Sequence, residues 1–173
     1  MQRLRRFAVT TLSLLTLGAV LLADDAVAQQ QSLQEQLVGT WTLVSADIVR
    51  NDGSKVELFG PNPRGTLIYT RDGHFALMQM RADLPKLASH RRDQGTPEEY
   101  QAVVQGSVAY FGTYAVNEAE KTITIHIEGS TFANLIGGEQ KRMVTSLTAD
   151  ELKVVNPRTQ YGATIEGDWK RAR

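Results

Sequence analysis

No cysteine occurs anywhere in the 173 residues. That absence excludes a disulfide scaffold, a thiol nucleophile and a lipid carried on a cysteine at a processing site. Net charge is missing too. Nineteen basic side chains face 19 acidic ones, so no field draws the chain to nucleic acid or to an anionic membrane. Lys86, His90, Arg91 and Arg92 cluster in one stretch but lack the aromatic partners of a nucleic-acid surface, and read as a solvated loop. The three histidines, His74, His90 and His126, are not spaced as metal ligands, so no metal is expected. No glycine-rich phosphate loop and no Gly-x-Ser-x-Gly elbow is present, and no cofactor is expected.

The one long uncharged run, Phe7 to Ala23, follows Arg3, Arg5 and Arg6 and precedes Ala26-Val27-Ala28. A basic start, an apolar middle and a small-x-small site predict a secretory signal peptide over residues 1–28. The run is short for a membrane span, and Asp24-Asp25 follows at once. The mature protein is therefore expected in the periplasm or secreted, by the Sec or the twin-arginine route, without a membrane span. Removing 28 of 173 residues leaves 145, with 16 basic and 17 acidic side chains. That is enough for one core and one domain. Residues 29–36 are polar and Gln-rich and predict a flexible leader; residues 37–173 predict the folded domain.

From Val38 onward, period-2 hydrophobic patterns alternate with turn signals, which indicates antiparallel strands. Expected strands run from Val38 to about Arg50, Lys55 to Phe59, Thr66 to Thr70, His74 to Arg81, Ser107 to Val116, Lys121 to Gly129, Glu139 to Leu147, Glu151 to Val155 and about Ala163 to Arg171. Within the first, Trp41, Leu43, Ser45, Asp47 and Val49 are expected on one face. Asn51-Asp52-Gly53 and Arg71-Asp72-Gly73 mark tight turns. One helix is predicted between the fourth and fifth strands. Thr96 is its N-cap, Pro97 its first residue and Glu99 the reciprocal member of a capping box. Tyr100, Val103 and Val104 form an apolar stripe expected to dock over one end of a barrel. The fold class is all-β, an antiparallel barrel of eight or nine strands with one short helix inserted mid-chain. Closure removes exposed edges, so the last strand is expected to pair with the first.

At Gly39-Thr40-Trp41 the chain resembles the lipocalin and fatty-acid-binding barrels, which share a Gly-x-Trp motif. The helix follows the fourth strand here rather than the first, which separates it from the fatty-acid-binding proteins. The chain is more similar to a family of lipocalin-like domain proteins from bacteria and fungi. The likeness rests on Phe59-Gly60-Pro61-Asn62-Pro63-Arg64-Gly65-Thr66-Leu67-Ile68-Tyr69-Thr70, Gly95-Thr96-Pro97-Glu98-Glu99-Tyr100, Tyr110-Phe111-Gly112-Thr113-Tyr114 and His126-Ile127-Glu128-Gly129-Ser130. It spans essentially the whole mature chain and implies an exported bacterial member with a calycin-type barrel. It also implies that Trp41 plugs the closed end, beside Gly39 and beneath Arg171 of the last strand. The family supplies no catalytic residue to carry over. Some fungal relatives belong to natural-product pathways, which keeps an isomerase or cyclase role open.

The candidate ligand-binding residues are Tyr69, Met78, Met80, Tyr110, Tyr114, His126 and Arg142. Tyrosines offer an apolar body with a polar tip, methionines adapt to irregular ligands, and an inward arginine such as Arg81 or Arg142 can clamp a carboxylate. Gly112, between Tyr110 and Tyr114, leaves room for a ligand or a ring. His126 and Glu128 share a strand face. If that face lines the cavity they form an acid–base pair; if Ile123, Ile125 and Ile127 face inward, both point to solvent. Asp47, Gln79 and Lys141 are the other polar strand positions. The expected function is binding of a small apolar or amphipathic molecule by a monomer. The alternative is a small isomerase or cyclase using His126 and Glu128.

Overall fold

Alternating strand patterns close into a barrel in the computed structural model, which describes residues 31–173 apart from residues 158, 160 and 161. The expected signal peptide, residues 1–28, lies outside the described residues. Nine strands follow in order: β1 Gly39–Val49, β2 Lys55–Glu57, β3 Arg64–Tyr69, β4 His74–Met80, β5 Ser107–Asn117, β6 Thr122–Ser130, β7 Glu139–Leu147, β8 Glu151–Asn156 and β9 Thr164–Arg171. Each pairs antiparallel with its neighbour from β3 to β9, and β1 pairs with both β3 and β9. Eight strands thus form a closed wall, and β2 adds a short extra strand to the far half of β1. Every expected strand is present, with ends shifted by no more than two residues. Among the described residues no helix is long and apolar enough to cross a membrane.

The alternation in β1 is broken by a bulge between Leu43 and Ser45. Trp41 and Leu43 point inward and are buried, but Val44 is exposed and Ala46 is the next buried residue. An extra residue in one strand of a pair reverses the facing of everything beyond it. This corrects the single-face expectation for Trp41 through Val49. Asp47 does not share the Trp41 face, and it accepts a hydrogen bond from Ser45 Oγ at 3.0 Å.

The closed end is built from both ends of the strand sequence. Trp41 pairs across strands with Arg171, whose guanidinium carbon stands 4.0 Å from the indole centroid. Arg171 also donates to the carbonyls of Val38 at 3.1 Å and Gln36 at 2.7 Å. Gly39 makes the approach possible. Its φ of +132° suits glycine, and a Cβ there would meet Arg171 Nη1 at 2.8 Å. Trp41 Nε1 donates to the Leu37 carbonyl at 2.9 Å, so the indole is both packed and satisfied.

Two short helices flank this wall. The expected flexible leader is ordered over its described part: α1 spans Leu33–Leu37, with Ser32 and Glu35 closing a capping box. The Glu118 carboxylate, from the β5–β6 turn, accepts the Leu33 and Gln34 amides at 2.8 and 3.1 Å. These acceptors satisfy amides that a helix start leaves unpaired, a long-range partner that local Gln-rich composition does not reveal. α2 spans Pro97–Gln105 with Thr96 and Glu99 in the expected capping box. Its apolar stripe does not bury, however. No residue of α2 is buried, and Val104 is 70% exposed. The helix is held by its polar ends instead. Glu99 accepts the amides of Thr96 and Ala88, both at 2.8 Å, and Tyr100 Oη accepts the Gly95 amide at 2.7 Å.

Candidate functional site

The strand faces decide which side chains enter the barrel. In β6, Ile123, Ile125 and Ile127 are fully buried, while His126 and Glu128 are exposed. Three isoleucines at period two outweigh the polar residues between them, because burying apolar surface stabilises the wall by about 25 cal/mol per Å². His126 and Glu128 therefore do not face the interior, and the acid–base pair expected of an enzyme does not form there. This also removes His126 from the ligand-binding set.

β7 follows the opposite logic. Arg142 is 4% exposed and points inward, whereas Met143 beside it is exposed. Val144, also buried, fixes the phase, and the strand carries a charge into the barrel in place of the adjacent thioether. Burial of an unpaired ion is costly. Arg142 Nη2 donates to Tyr110 Oη at 2.6 Å, and the guanidinium lies 5.7 Å from the Tyr110 ring centroid. All six ion pairs of the described residues lie elsewhere. Burial works to lower the Arg142 pKa, but the Tyr110 and Tyr69 hydroxyls outweigh it and hold the pKa above its ordinary value. The cation persists at neutral pH with no carboxylate among the described residues paired to it.

Around Arg142 lies a cavity of about 50 Å³, room for a few waters or one small polar group. Its polar wall includes Tyr110, Gln79, Gln140 and Trp169, with Leu58, Val154 and Ile165 forming apolar wall. Trp169 is 2% exposed, and its Nε1 has no hydrogen-bond partner among the described residues. Its position follows from Gly167, where a Cβ would come within 3.0 Å of that nitrogen. An unsatisfied buried donor costs about 1–3 kcal/mol.

The aromatic residues stack behind this cavity. Tyr69 and Tyr114 meet edge to face at 4.8 Å, and Phe75 meets Tyr110 at 6.0 Å. Tyr69 is fully enclosed and its hydroxyl makes no hydrogen bond of good geometry. Burial raises its pKa, against the opposing charge of Arg142. Tyr114 Oη donates to the Thr70 carbonyl at 2.8 Å, which makes it a wall fastener rather than a ligand contact. Gly112 does not leave room for a ring. A Cβ there would stand 1.9 Å from the His126 carbonyl oxygen, so the glycine permits β5 and β6 to approach at the bulge between Phe111 and Gly112.

A second concavity lies on the outside of the barrel. Thr66, Ile68, Ala76, Met78, Ala109 and Phe111 line a hollow of about 420 Å³, with Met78 48% and Phe111 55% exposed. Met78 thus faces out, contrary to its expected place in the ligand cavity. Met80 is half-buried at the end of β4 and lines neither hollow. Arg81 is exposed and pairs with Asp83 at 2.9 Å, and Lys141 is exposed and pairs with Glu120. Of the seven expected ligand residues, the structure brings Tyr110 and Arg142 together at the inner cavity, with Tyr69 beside them. Gln140 and Trp169 were not expected there. The signal for Gln140 was its in-phase spacing with Arg142.

A family model for the lipocalin-like domain matches residues 38–172. The chain belongs to the lipocalin-like domain family. The matched span takes in the whole barrel from β1 to β9. No curated protein matches the chain. Among solved structures it is similar to a lipocalin-like protein from Bacteroides uniformis ATCC 8492, with 14% identity, 79% of this chain and 99% of that one covered, and a TM-score of 0.45. It is similar to a redesigned β-barrel at 12% identity, covering 83% and 98%, with a TM-score of 0.43. A third likeness is to bovine odorant-binding protein in complex with a selenium-containing odorant, at 14% identity, 83% and 74% coverage and a TM-score of 0.42.

Proposed function

We propose that this lipocalin-like protein is exported and binds a small hydrophobic or amphipathic molecule inside its barrel. One observation carries the reading: the barrel keeps a small cavity into which a buried donor, Trp169 Nε1, points without a partner among the described residues. A barrel selected only for stability gains by filling such a space with side chains. The cavity of about 50 Å³ takes the polar part of a ligand. The apolar part must displace Leu58, Val154 or Ile165, because pockets that enclose whole ligands measure roughly 300–1,000 Å³. The isomerase or cyclase alternative has lost its acid–base pair to the outer face. The proposed export rests on Arg3, Arg5, Arg6, the Phe7–Ala23 run and Ala26-Val27-Ala28.

Native mass spectrometry of the protein purified from its own cell envelope tests both parts. The expected result is a chain beginning at Gln29 with a bound small molecule released by solvent extraction. A chain retaining its first 28 residues overturns export, and a protein that yields no extractable molecule and binds none added overturns the carrier role.

A further inference from the structure

We propose that the inner cavity is an anion anchor: Arg142, Tyr110 and Trp169 together seat the carboxylate of a small amphipathic acid. The inference rests on the carrier reading above and names the class of ligand. A buried guanidinium takes its charge into a low-dielectric interior, and elsewhere in proteins such a group is paired. Here its partner is a neutral hydroxyl, and no aspartate or glutamate lines the cavity. The charge therefore awaits an anion supplied from outside the chain.

The surrounding donors are set for the same anion. Tyr110 Oη accepts from Arg142 and keeps its own proton to donate, since a phenol is both donor and acceptor. Trp169 contributes an indole N–H that no carbonyl or side chain of the described residues takes up, and an indole nitrogen only donates. One cation and two donors lining one cavity suit a carboxylate, which accepts at both oxygens. The volume limits the group to one of about that size. The apolar residues lining the same cavity, Leu58, Val154 and Ile165, shift to admit a hydrocarbon tail and pack against it. The ligand is thus held head-inward, with an aliphatic chain directed away from Arg142.

The test is isothermal titration of the purified protein at neutral pH with octanoate and with octanol, which share a tail and differ in the charged head. The expected result is octanoate binding at least tenfold tighter than octanol, with the preference abolished in Arg142→Met and weakened in Tyr110→Phe. Tyr110→Phe keeps the ring packing and leaves the proposal testable should Arg142→Met fail to fold. Equal affinity for the two probes overturns the anchor and leaves the carrier role standing. Binding of neither overturns the anchor, whereas extraction of a different, neutral molecule from the native protein would still support a carrier. Retained octanoate preference in both variants overturns the assignment of the anion to these residues.

Discussion

The Arg171 guanidinium lies over the Trp41 indole at 4.0 Å and ties the last strand to the first. The same side chain holds the carbonyls of Gln36 and Val38. Stacking of this kind is worth about 0.5–2 kcal/mol, and a hydrogen bond from a charged donor about 1.5–3 kcal/mol. Arg171→Ala is expected to lower unfolding stability by about 2–4 kcal/mol in urea denaturation. Arg171→Lys should recover less than half of that, because an ammonium lacks the planar fork. Octanoate affinity should be unchanged in both, since Arg171 does not line the inner cavity.

Two glycines carry steric predictions of different size. Gly112→Ala places a Cβ 1.9 Å from the His126 carbonyl oxygen, and backbone on a paired strand cannot move aside. Loss of more than about 3 kcal/mol, or failure to fold, is expected. Gly39→Ala meets only the tip of Arg171 at 2.8 Å, which can swing away, so its cost is confined to the strained φ and the weakened stack, about 1–3 kcal/mol. Equal damage from the two would contradict this ordering.

Stability should fall at alkaline pH. Burial raises the pKa of Tyr69 and Tyr114 above the ordinary 10.0. The folded chain then holds these protons more tightly than the unfolded chain, so stability is intact below about pH 10 and declines as pH rises through the folded values. Urea midpoints measured from neutral to alkaline pH check this, and Tyr69→Phe should flatten the decline. A decline that is the same in parent and variant would assign it to other groups.

Acid should loosen the α2 region first. Backbone amides of Ala88 and Thr96 hold the Glu99 carboxyl below its ordinary 4.5. Its contribution is present above that value and is lost as pH falls through the lower folded pKa. Hydrogen exchange should show the Ala88 and Thr96 amides losing protection in acid before the amides of β6, and Glu99→Gln should show the same loss at neutral pH.

His126→Ala and Glu128→Ala should change stability by no more than about 0.5 kcal/mol and leave octanoate affinity alone, because both face solvent. A large effect of either on binding would place the outer face of β6 in the function.

Much of this barrel is legible in the sequence because local patterns agree with the fold. Thr96, Pro97 and Glu99 mark the α2 start, and Ile123, Ile125 and Ile127 mark a half-buried strand. The plug was legible through Gly39 and Trp41, whose partner Arg171 was implied by family likeness. Facing was harder. The bulge beyond Leu43 reverses the phase of β1 with no proline or glycine at the spot, so a strict period of two misplaces Asp47. In β7 an arginine and a methionine sit side by side, and only the burial of Val144 on the Arg142 face reveals that the charge goes in. Trp169 was hidden for a different reason: its indole nitrogen lies against Gly167, a relation within β9 that a period of two does not mark.

The most direct test of the proposed anion anchor reads the cavity wall at one atom. The chain has two tryptophans; the Trp41 indole N–H is bonded to Leu37 and the Trp169 indole N–H has no partner. A nitrogen-15 spectrum of the two indoles during titration with octanoate should show the Trp169 resonance moving downfield to saturation while the Trp41 resonance stays fixed. A Trp169 resonance that does not move while octanoate binds, or one that moves equally with octanol, would contradict the account.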